Sequence, residues 1–88
     1  MNKEKLVDSL SLPKDITLGA PLINIVGTYE VYIQNYHGII EYNENMIRFQ
    51  TRSGRLVLSG NNLHIQYFTK DDVMVKGNIR EVKFIDCG

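Results

Sequence analysis

The side chains that could perform acid–base or nucleophilic chemistry are two histidines and one cysteine. His37 lies in the polar run at residues 35–38, His64 lies between apolar residues, and Cys87 is next to the last residue. A thiol beside an imidazole is the arrangement from which a nucleophilic cysteine is built. Nothing in the spacing of these residues favours such a pair, so we expect both histidines to lie on the surface.

Motifs that bind metals or phosphates are missing from the sequence. A structural zinc site needs about four ligands, usually as paired Cys or His residues, and the chain has one cysteine and two histidines. Asp71 and Asp72 are adjacent in a polar segment, which is typical of a solvated turn. No GxGxxG, GxxxxGK[ST] or GxSxG pattern occurs. The sequence therefore predicts a protein that is not an enzyme and has no cofactor and no metal.

The charge balance argues against a nucleic-acid partner. Ten Lys and Arg balance ten Asp and Glu over 88 residues, so the formal net charge is zero. A nucleic-acid binder has to offset roughly one phosphate charge per 1.7 Å of duplex. Arg48, Arg52 and Arg55 surround one expected hairpin, but Glu41 and Glu44 belong to the hairpin beside it. A neutral surface also does little to keep copies apart, which allows a homo-oligomer.

The cysteine count and the first residues indicate the compartment. A single cysteine cannot form an internal disulfide, so nothing suggests an oxidising environment. No run approaches the ~20 apolar residues that cross a bilayer. Residues 1–12 lack the apolar core of a signal peptide. We expect a cytoplasmic protein without a transmembrane segment.

The character of the sequence changes near Pro13. Before it, Leu6, Val7 and Leu10 have helical spacing and allow two turns of an amphipathic helix, which Pro13 would end. From Gly19 onward, apolar and polar residues alternate. We therefore expect an N-terminal segment over residues 1–18, either a short helix or a frayed terminus, and one all-β domain over residues 19–88.

Turn residues recur roughly every 6–10 residues in this domain, which is the spacing expected of short antiparallel strands. Gly and Asn accept positive φ at little steric cost, and the runs between them are rich in Ile, Val, Leu, Tyr and Phe, which favour strands. The pattern predicts eight strands, over residues 22–26, 29–34, 38–42, 46–51, 55–59, 63–68, 73–76 and 79–85.

Alternation within these strands separates a dry face from a wet face. The wet face carries polar residues such as Arg48. In the last predicted strand, Val82 lies three residues after Ile79, so strict alternation would put the two side chains on opposite faces. This predicts a bulge near Arg80 and Glu81. The dry face carries fifteen apolar residues: Ile23, Ile25, Val31, Ile33, Ile40, Tyr42, Ile47, Phe49, Leu56, Leu58, Leu63, Ile65, Val73, Val75 and Ile79.

A sequence pattern that occurs three times helps to predict how the strands pack. Residues 23–27, 56–60 and 73–77 each alternate apolar positions and end in glycine, and repeats of this kind bury together a face that one unit cannot bury alone. Two architectures fit. An antiparallel meander curled into a small barrel or sandwich is favoured over a short β-solenoid. The dry face would be covered by curling, by the N-terminal helix or by another copy of the protein.

Several aromatic side chains lie outside the expected core. Aromatic residues give a large contact area with a polar tip, so they are candidates for docking a partner, although they also serve as structural filler. The candidate docking residues are Tyr32, Tyr36, His37 and Tyr67, and Tyr29 is a further spare aromatic.

Eight stretches of the chain are similar to the sequence pattern of a known protein family. They are residues 12–15, 21–23, 31–42, 47–48, 51–58, 60–63, 73–79 and 82–84. In their order and spacing they resemble the YabP/YqfC family of sporulation proteins, and the YqfC branch most closely. The resemblance implies a small non-enzymatic protein that helps to build the endospore, acts in the mother cell, and is encoded near genes for sporulation membrane proteins.

Two hypotheses for function follow. The leading one is a structural or adaptor module that acts by self-assembly or by docking on a protein partner, such as a sporulation membrane protein. Strand edges with little Pro or Lys to block strand addition support it. The alternative is a small β-barrel that binds single-stranded nucleic acid or another ligand, which a deep apolar pocket would favour.

Overall fold

The computed structural model describes residues 19–86, which form six strands and no helix. These are β1 (Leu22–Val26), β2 (Glu30–Gln34), β3 (Tyr36–Tyr42), β4 (Met46–Thr51), β5 (Gly54–Phe68) and β6 (Asp72–Asp86). They form one sheet in the order β1-β2-β6-β5-β4-β3, and every neighbouring pair is antiparallel. The favoured all-β antiparallel fold is confirmed, while the helix expected within residues 1–18 lies outside the described residues.

Two long strands take the place of four short ones. β5 spans both predicted strands at 55–59 and 63–68, and β6 spans those at 73–76 and 79–85. The turns expected at Gly60 and Gly77 are instead positions where the two backbones nearly touch. A Cβ on Gly60 would lie 2.0 Å from the carbonyl oxygen of Asn78, and one on Gly77 would lie 2.5 Å from that of Asn62. Glycine is needed here because only a residue without a side chain allows this approach.

The bulge expected near Arg80 is confirmed. Ser59 pairs with Glu81 and Gly60 pairs with Ile79, so Arg80 is the extra residue of β6. A bulge bends its strand and increases the local twist. Together with the close glycine approach, it marks where β5 and β6 pass from one half of the sheet to the other.

A second bulge overturns the prediction that Ile40 is buried. Ile39 lies opposite Phe49 and Glu41 lies opposite Arg48, so Ile40 has no partner of its own. Ile40 is 46% exposed, and Ile39 packs against the core in its place. Strict alternation predicted that Ile40 faces inward, but the bulge moves the inward-facing position by one residue, to Ile39.

Ile25 and Tyr42 were also predicted to be buried and are exposed by 52% and 51%. Both do point to the predicted face, since Ile25 lies opposite Val31 and Tyr42 lies opposite Ile47. Because β1 and β3 are the outermost strands of the sheet, these side chains lie at its margins and are only partly covered.

The sheet bends back over itself so that one face is enclosed. Ile33 of β2 and Phe49 of β4 are distant in the sheet order, yet both are inaccessible to solvent and belong to one cluster. Each such side chain contributes roughly 1.5–3 kcal/mol when fully buried. We call this enclosed side the inner face and the opposite side the outer face. The cluster contains Val31, Ile33, Tyr36, Ile47, Phe49, Leu56, Leu58, Leu63, Val73, Val75 and Ile79.

Candidate docking surface

Three side chains from three strands form a row on the outer face. In the ladders of β6, Tyr32 of β2 and Tyr67 of β5 both lie opposite Met74. The neighbours of Met74 in the chain, Val73 and Val75, are buried on the inner face, so Met74 points outward. Tyr67 is 46% exposed, and the other two are half-buried. We call Tyr32, Met74 and Tyr67 the outer patch.

The turn between β5 and β6 fixes one end of this row. The Thr69 hydroxyl accepts hydrogen bonds from the backbone N–H groups of Asp71 and Asp72, at 3.1 and 3.0 Å, and donates to the Asp72 carboxylate. The Thr69 N–H donates to the Asp72 carbonyl at 2.7 Å. The other carboxylate oxygen of Asp72 accepts from the Tyr32 hydroxyl at 2.5 Å. The ring of Tyr32 is therefore held against a locked turn.

These hydrogen bonds shift the pKa values of both groups away from neutral pH. The pKa of Tyr32 is raised to about 12, mainly because its hydroxyl donates to Asp72 and also because the group is partly desolvated. The pKa of Asp72 is lowered, first by the hydrogen bond from Thr69 and then by that from Tyr32. The row thus ends in a neutral phenol beside a carboxylate, and the hydrogen bonds widen the pH range over which this charge state holds.

The other side of the outer patch is also polar. Lys76 Nζ lies 3.6 Å from Glu30 Oε1 across the β2–β6 ladder. His64 lies opposite Lys76 in the β5–β6 ladder, and its Nδ1 is 3.3 Å from the Asn62 carbonyl oxygen. An aromatic and thioether centre with a charged rim is the composition typical of a protein–protein interface.

The structure brings together two of the four residues that the sequence suggested for docking. Tyr32 and Tyr67 share the outer patch, whereas Tyr36 lies in the core with its ring edge-on to Phe49, at a centroid distance of 5.9 Å. The Tyr36 hydroxyl donates to the Thr69 carbonyl at 2.6 Å, and burial raises its pKa. His37 is exposed at a bulge of β3, which is not one of the three strands of the row. A role of these residues in docking stays a prediction.

Met74 is the patch residue that the sequence analysis did not single out. The signal was present in the sequence, because Met74 stands between Val73 and Val75 and strict alternation places it on the opposite face. Its position between two tyrosines depends on long-range pairing of β6 with β2 and β5, which the local pattern does not contain.

A cleft of about 590 Å³ lies between β3 and the second half of β5. These two strands are not neighbours in the sheet. Where a ladder would otherwise join them, the Tyr42 hydroxyl accepts a hydrogen bond from the Ile65 N–H at 3.0 Å. The lining carries no charged side chain and consists of Ile39, Tyr42, Ile65, Gln66, Tyr67 and Phe68.

Residues 19–86 do not have the side-chain clusters or helix that other kinds of site require. No three His, Cys, Asp or Glu side chains of this range lie together as a metal site would require. Arg48, one of the three clustered arginines, has its Nη1 3.5 Å from Glu41 Oε1, so its charge is partly offset. The same range contains no helix of the length and hydropathy needed to span a bilayer.

Fold and surface together define an all-β protein whose notable exposed features are an aromatic patch and an apolar cleft. Residues 19–87 match the YabP family, and because this match covers most of the chain, the chain belongs to that family. It is also 29% identical, over 84 residues, to "Uncharacterized protein YqfC" of Bacillus subtilis (strain 168), in an alignment that covers 96% of this chain and 90% of that protein. The family predicted from the sequence is confirmed.

Proposed function

We propose that this protein is a non-enzymatic structural or adaptor protein of endospore formation, and that it acts by docking a protein partner on the outer patch. The observation that carries the proposal is the row of Tyr32, Met74 and Tyr67 across three strands. Tyrosine and methionine are enriched at interfaces, because they bury large areas and adapt to a partner.

The exposed strand edges support self-assembly as a second use of the same module. β1 and β3 are the two end strands of the sheet, so each has one edge without a ladder partner among the described residues. Such edges pair readily with an added strand. The zero formal net charge gives little long-range repulsion between copies.

The setting of the proposed function rests on the likeness to sporulation proteins that the sequence carries. It favours action in the cytoplasm of the mother cell and a partner among the membrane proteins of sporulation. A partner of this kind would present an apolar or aromatic surface with basic groups that complement the carboxylate of Asp72.

A pull-down from sporulating cells of an endospore-forming host tests the proposal. The bait is the tagged full chain, compared with Tyr67→Ser and with the matched control Tyr29→Ser, an exposed tyrosine in the turn before β2 and outside the row. We expect one protein to be recovered by the wild type and the control and lost with Tyr67→Ser. Equal recovery by all three baits, or recovery by none, would refute docking at the outer patch.

The cleft between β3 and β5 supports a second candidate function, the binding of a ligand. Its uncharged apolar lining favours an apolar molecule over a nucleic-acid strand, because nothing in the lining would offset phosphate charge. An electrophoretic shift with short single strands at low salt would reverse that preference. Chemical-shift changes confined to Ile39, Ile65 and Phe68 on adding an apolar ligand would favour this candidate over docking.

A further inference from the structure

The second half of β5 has an edge that no other strand covers. β6 pairs with β5 along one side, while β4 pairs along the other side only at residues 54–59. From His64 to Phe68, the side of β5 that faces the cleft therefore has no ladder partner among residues 19–86. A strand edge of this kind pairs readily with an added strand.

Two hydrogen bonds show that the backbone donors of this edge point toward β3. The N–H of Leu63 donates to the Glu44 carbonyl at 2.8 Å, and the N–H of Ile65 donates to the Tyr42 hydroxyl at 3.0 Å. Residues two apart in an antiparallel strand direct their N–H groups to the same side. At Ile65 the partner is a side chain, so the Tyr42 hydroxyl stands where a carbonyl of an adjacent strand would stand in a ladder.

Backbone hydrogen bonds close the cleft at both ends. The Leu63–Glu44 bond closes one end, and the N–H of Asn35 donates to the Asp71 carbonyl at 2.8 Å at the other end. From Leu63 to Phe68 the strand advances by about 17 Å. The cleft thus has room for about four residues of extended chain, and its closed ends exclude a longer inserted strand.

The surroundings of the cleft are acidic, although the whole chain has a formal net charge of zero. Its lining carries no charged side chain. Glu44 and Asp71, whose carbonyls close its two ends, are both exposed. Residues 35–45 and 60–72, which contain the lining and these ends, carry one base, Lys70, and four acids, a net charge of −3; the acids are Glu41, Glu44, Asp71 and Asp72. Of these acids, Glu41 lies beside Arg48.

We propose that the cleft binds a short extended segment of a protein partner, in which two apolar side chains alternate with a polar one and Lys or Arg residues lie on both sides. The backbone of this segment adds a strand to β5 and accepts the hydrogen bond of the Ile65 N–H in place of the Tyr42 hydroxyl. Its apolar side chains fill the uncharged lining, and its basic residues lie near Glu44 and Asp71. The inference deepens the second candidate function, rests on the cleft being a binding site, and does not depend on the outer patch.

The donor at Ile65 and the acidic ends favour a peptide over a small apolar molecule. A small apolar molecule would cover the lining, but it would use neither the backbone donor nor the charge at the ends. Main-chain hydrogen bonds give affinity in strand addition, and pockets for alternate side chains give specificity. The edge of β5 and the lining beside it supply these two elements at one place.

Selection from a random nine-residue peptide library displayed on phage, with the full chain as target, tests the inference. We expect enriched peptides to carry two apolar residues one position apart with Lys or Arg on both sides. The affinity of the matching synthetic peptide should fall as salt is added, because salt screens the attraction to the exposed acids. Failure to enrich any peptide, or enrichment of acidic peptides, would overturn the inference.

Two exposed phenylalanines provide a matched pair of variants for this peptide. Phe68 lines the cleft and is 63% exposed, while Phe84 lies outside the lining and is 64% exposed. Phe68→Ser should weaken binding by about tenfold or more, and Phe84→Ser should leave it unchanged. Tyr42→Phe should bind the peptide at least as tightly as the wild type, because the hydroxyl no longer competes for the Ile65 N–H.

N-methylation of the peptide separates strand addition from simple filling of the lining. In an antiparallel ladder only alternate amides face the neighbouring strand, so of two peptides N-methylated at alternate positions, one should lose binding and the other should keep it. Equal affinities of the two would overturn strand addition. Met74→Ala, at the centre of the outer patch, should leave peptide binding unchanged. Loss with Met74→Ala but not with Phe68→Ser would refute binding in the cleft while leaving docking at the outer patch intact.

Discussion

Replacing Gly60 by alanine tests the feature that most distinguishes this fold from a set of short hairpins. β5 and β6 run without interruption past Gly60, where a Cβ would lie 2.0 Å from the carbonyl oxygen of Asn78 and 3.1 Å from the Cα of Ile79. Both atoms belong to the backbone, so the new methyl group cannot be accommodated by turning a side chain. One strand has to move away from the other.

The expected loss follows from the size of this overlap. Overpacking a well-packed site costs about 1–3 kcal/mol, and a backbone contact this short belongs at the upper end. Removing a glycine also restricts the unfolded chain, which offsets about 0.4–1 kcal/mol. We expect a net loss of about 2–2.5 kcal/mol, which for a domain of this size lowers the melting temperature by roughly 8–20 °C.

Gly38 provides a matched control within the same sheet. A Cβ on Gly38 meets no atom within 4 Å, so Gly38→Ala should leave stability unchanged or raise it slightly. Both variants are measured by urea and thermal unfolding, followed by far-UV circular dichroism. If Gly60→Ala unfolds like Gly38→Ala, the two strands do not approach at Gly60, and an ordinary turn at that position would be the better description.

Further predictions concern the core and the Tyr32–Asp72 pair. Phe49→Ala should cost about 3–5 kcal/mol in urea unfolding, because Phe49 is wholly buried and packs edge-on against Tyr36. The tyrosine absorbance titration should contain one group with a pKa of about 12, which moves toward 10 in Asp72→Asn because the acceptor carboxylate is lost. The lowered pKa of Asp72 stabilises the fold above the ordinary pKa of an aspartate, so the wild type should lose more stability than Asp72→Asn on acidification below that value. Identical acid unfolding of the two proteins would contradict this linkage.

The class of fold and most of its core could be predicted from the sequence, because alternation reports which face a residue occupies. The prediction was wrong at Ile40, where a bulge moves Ile39 inward instead. It was also wrong about the turns at Gly60 and Gly77, because glycine marks a close backbone approach as well as a turn. Local sequence does not distinguish the two, since the difference depends on which strand lies alongside.

The candidate site was only partly predictable. The tyrosines were recognisable as spare aromatics, but the partners of Tyr32 come from β5, β6 and the turn between them, more than 30 residues later in the chain. Tyr36 was expected near the surface and lies in the core, because β3 begins directly after Asn35, whose φ of 64° turns the chain sharply. Pairing over such distances is not encoded in a local pattern.

The two fifteen-residue strands have a consequence for how the domain folds. β5 and β6 form one long hairpin closed by the Thr69–Asp72 turn, and each strand contributes to both halves of the bent sheet. Unfolding of one half would disrupt strands that the other half shares. We therefore expect neither half to be stable alone. The hairpin has the longest ladder in the protein, and β2 and β4 both pair with it, so we expect these strands to assemble on it.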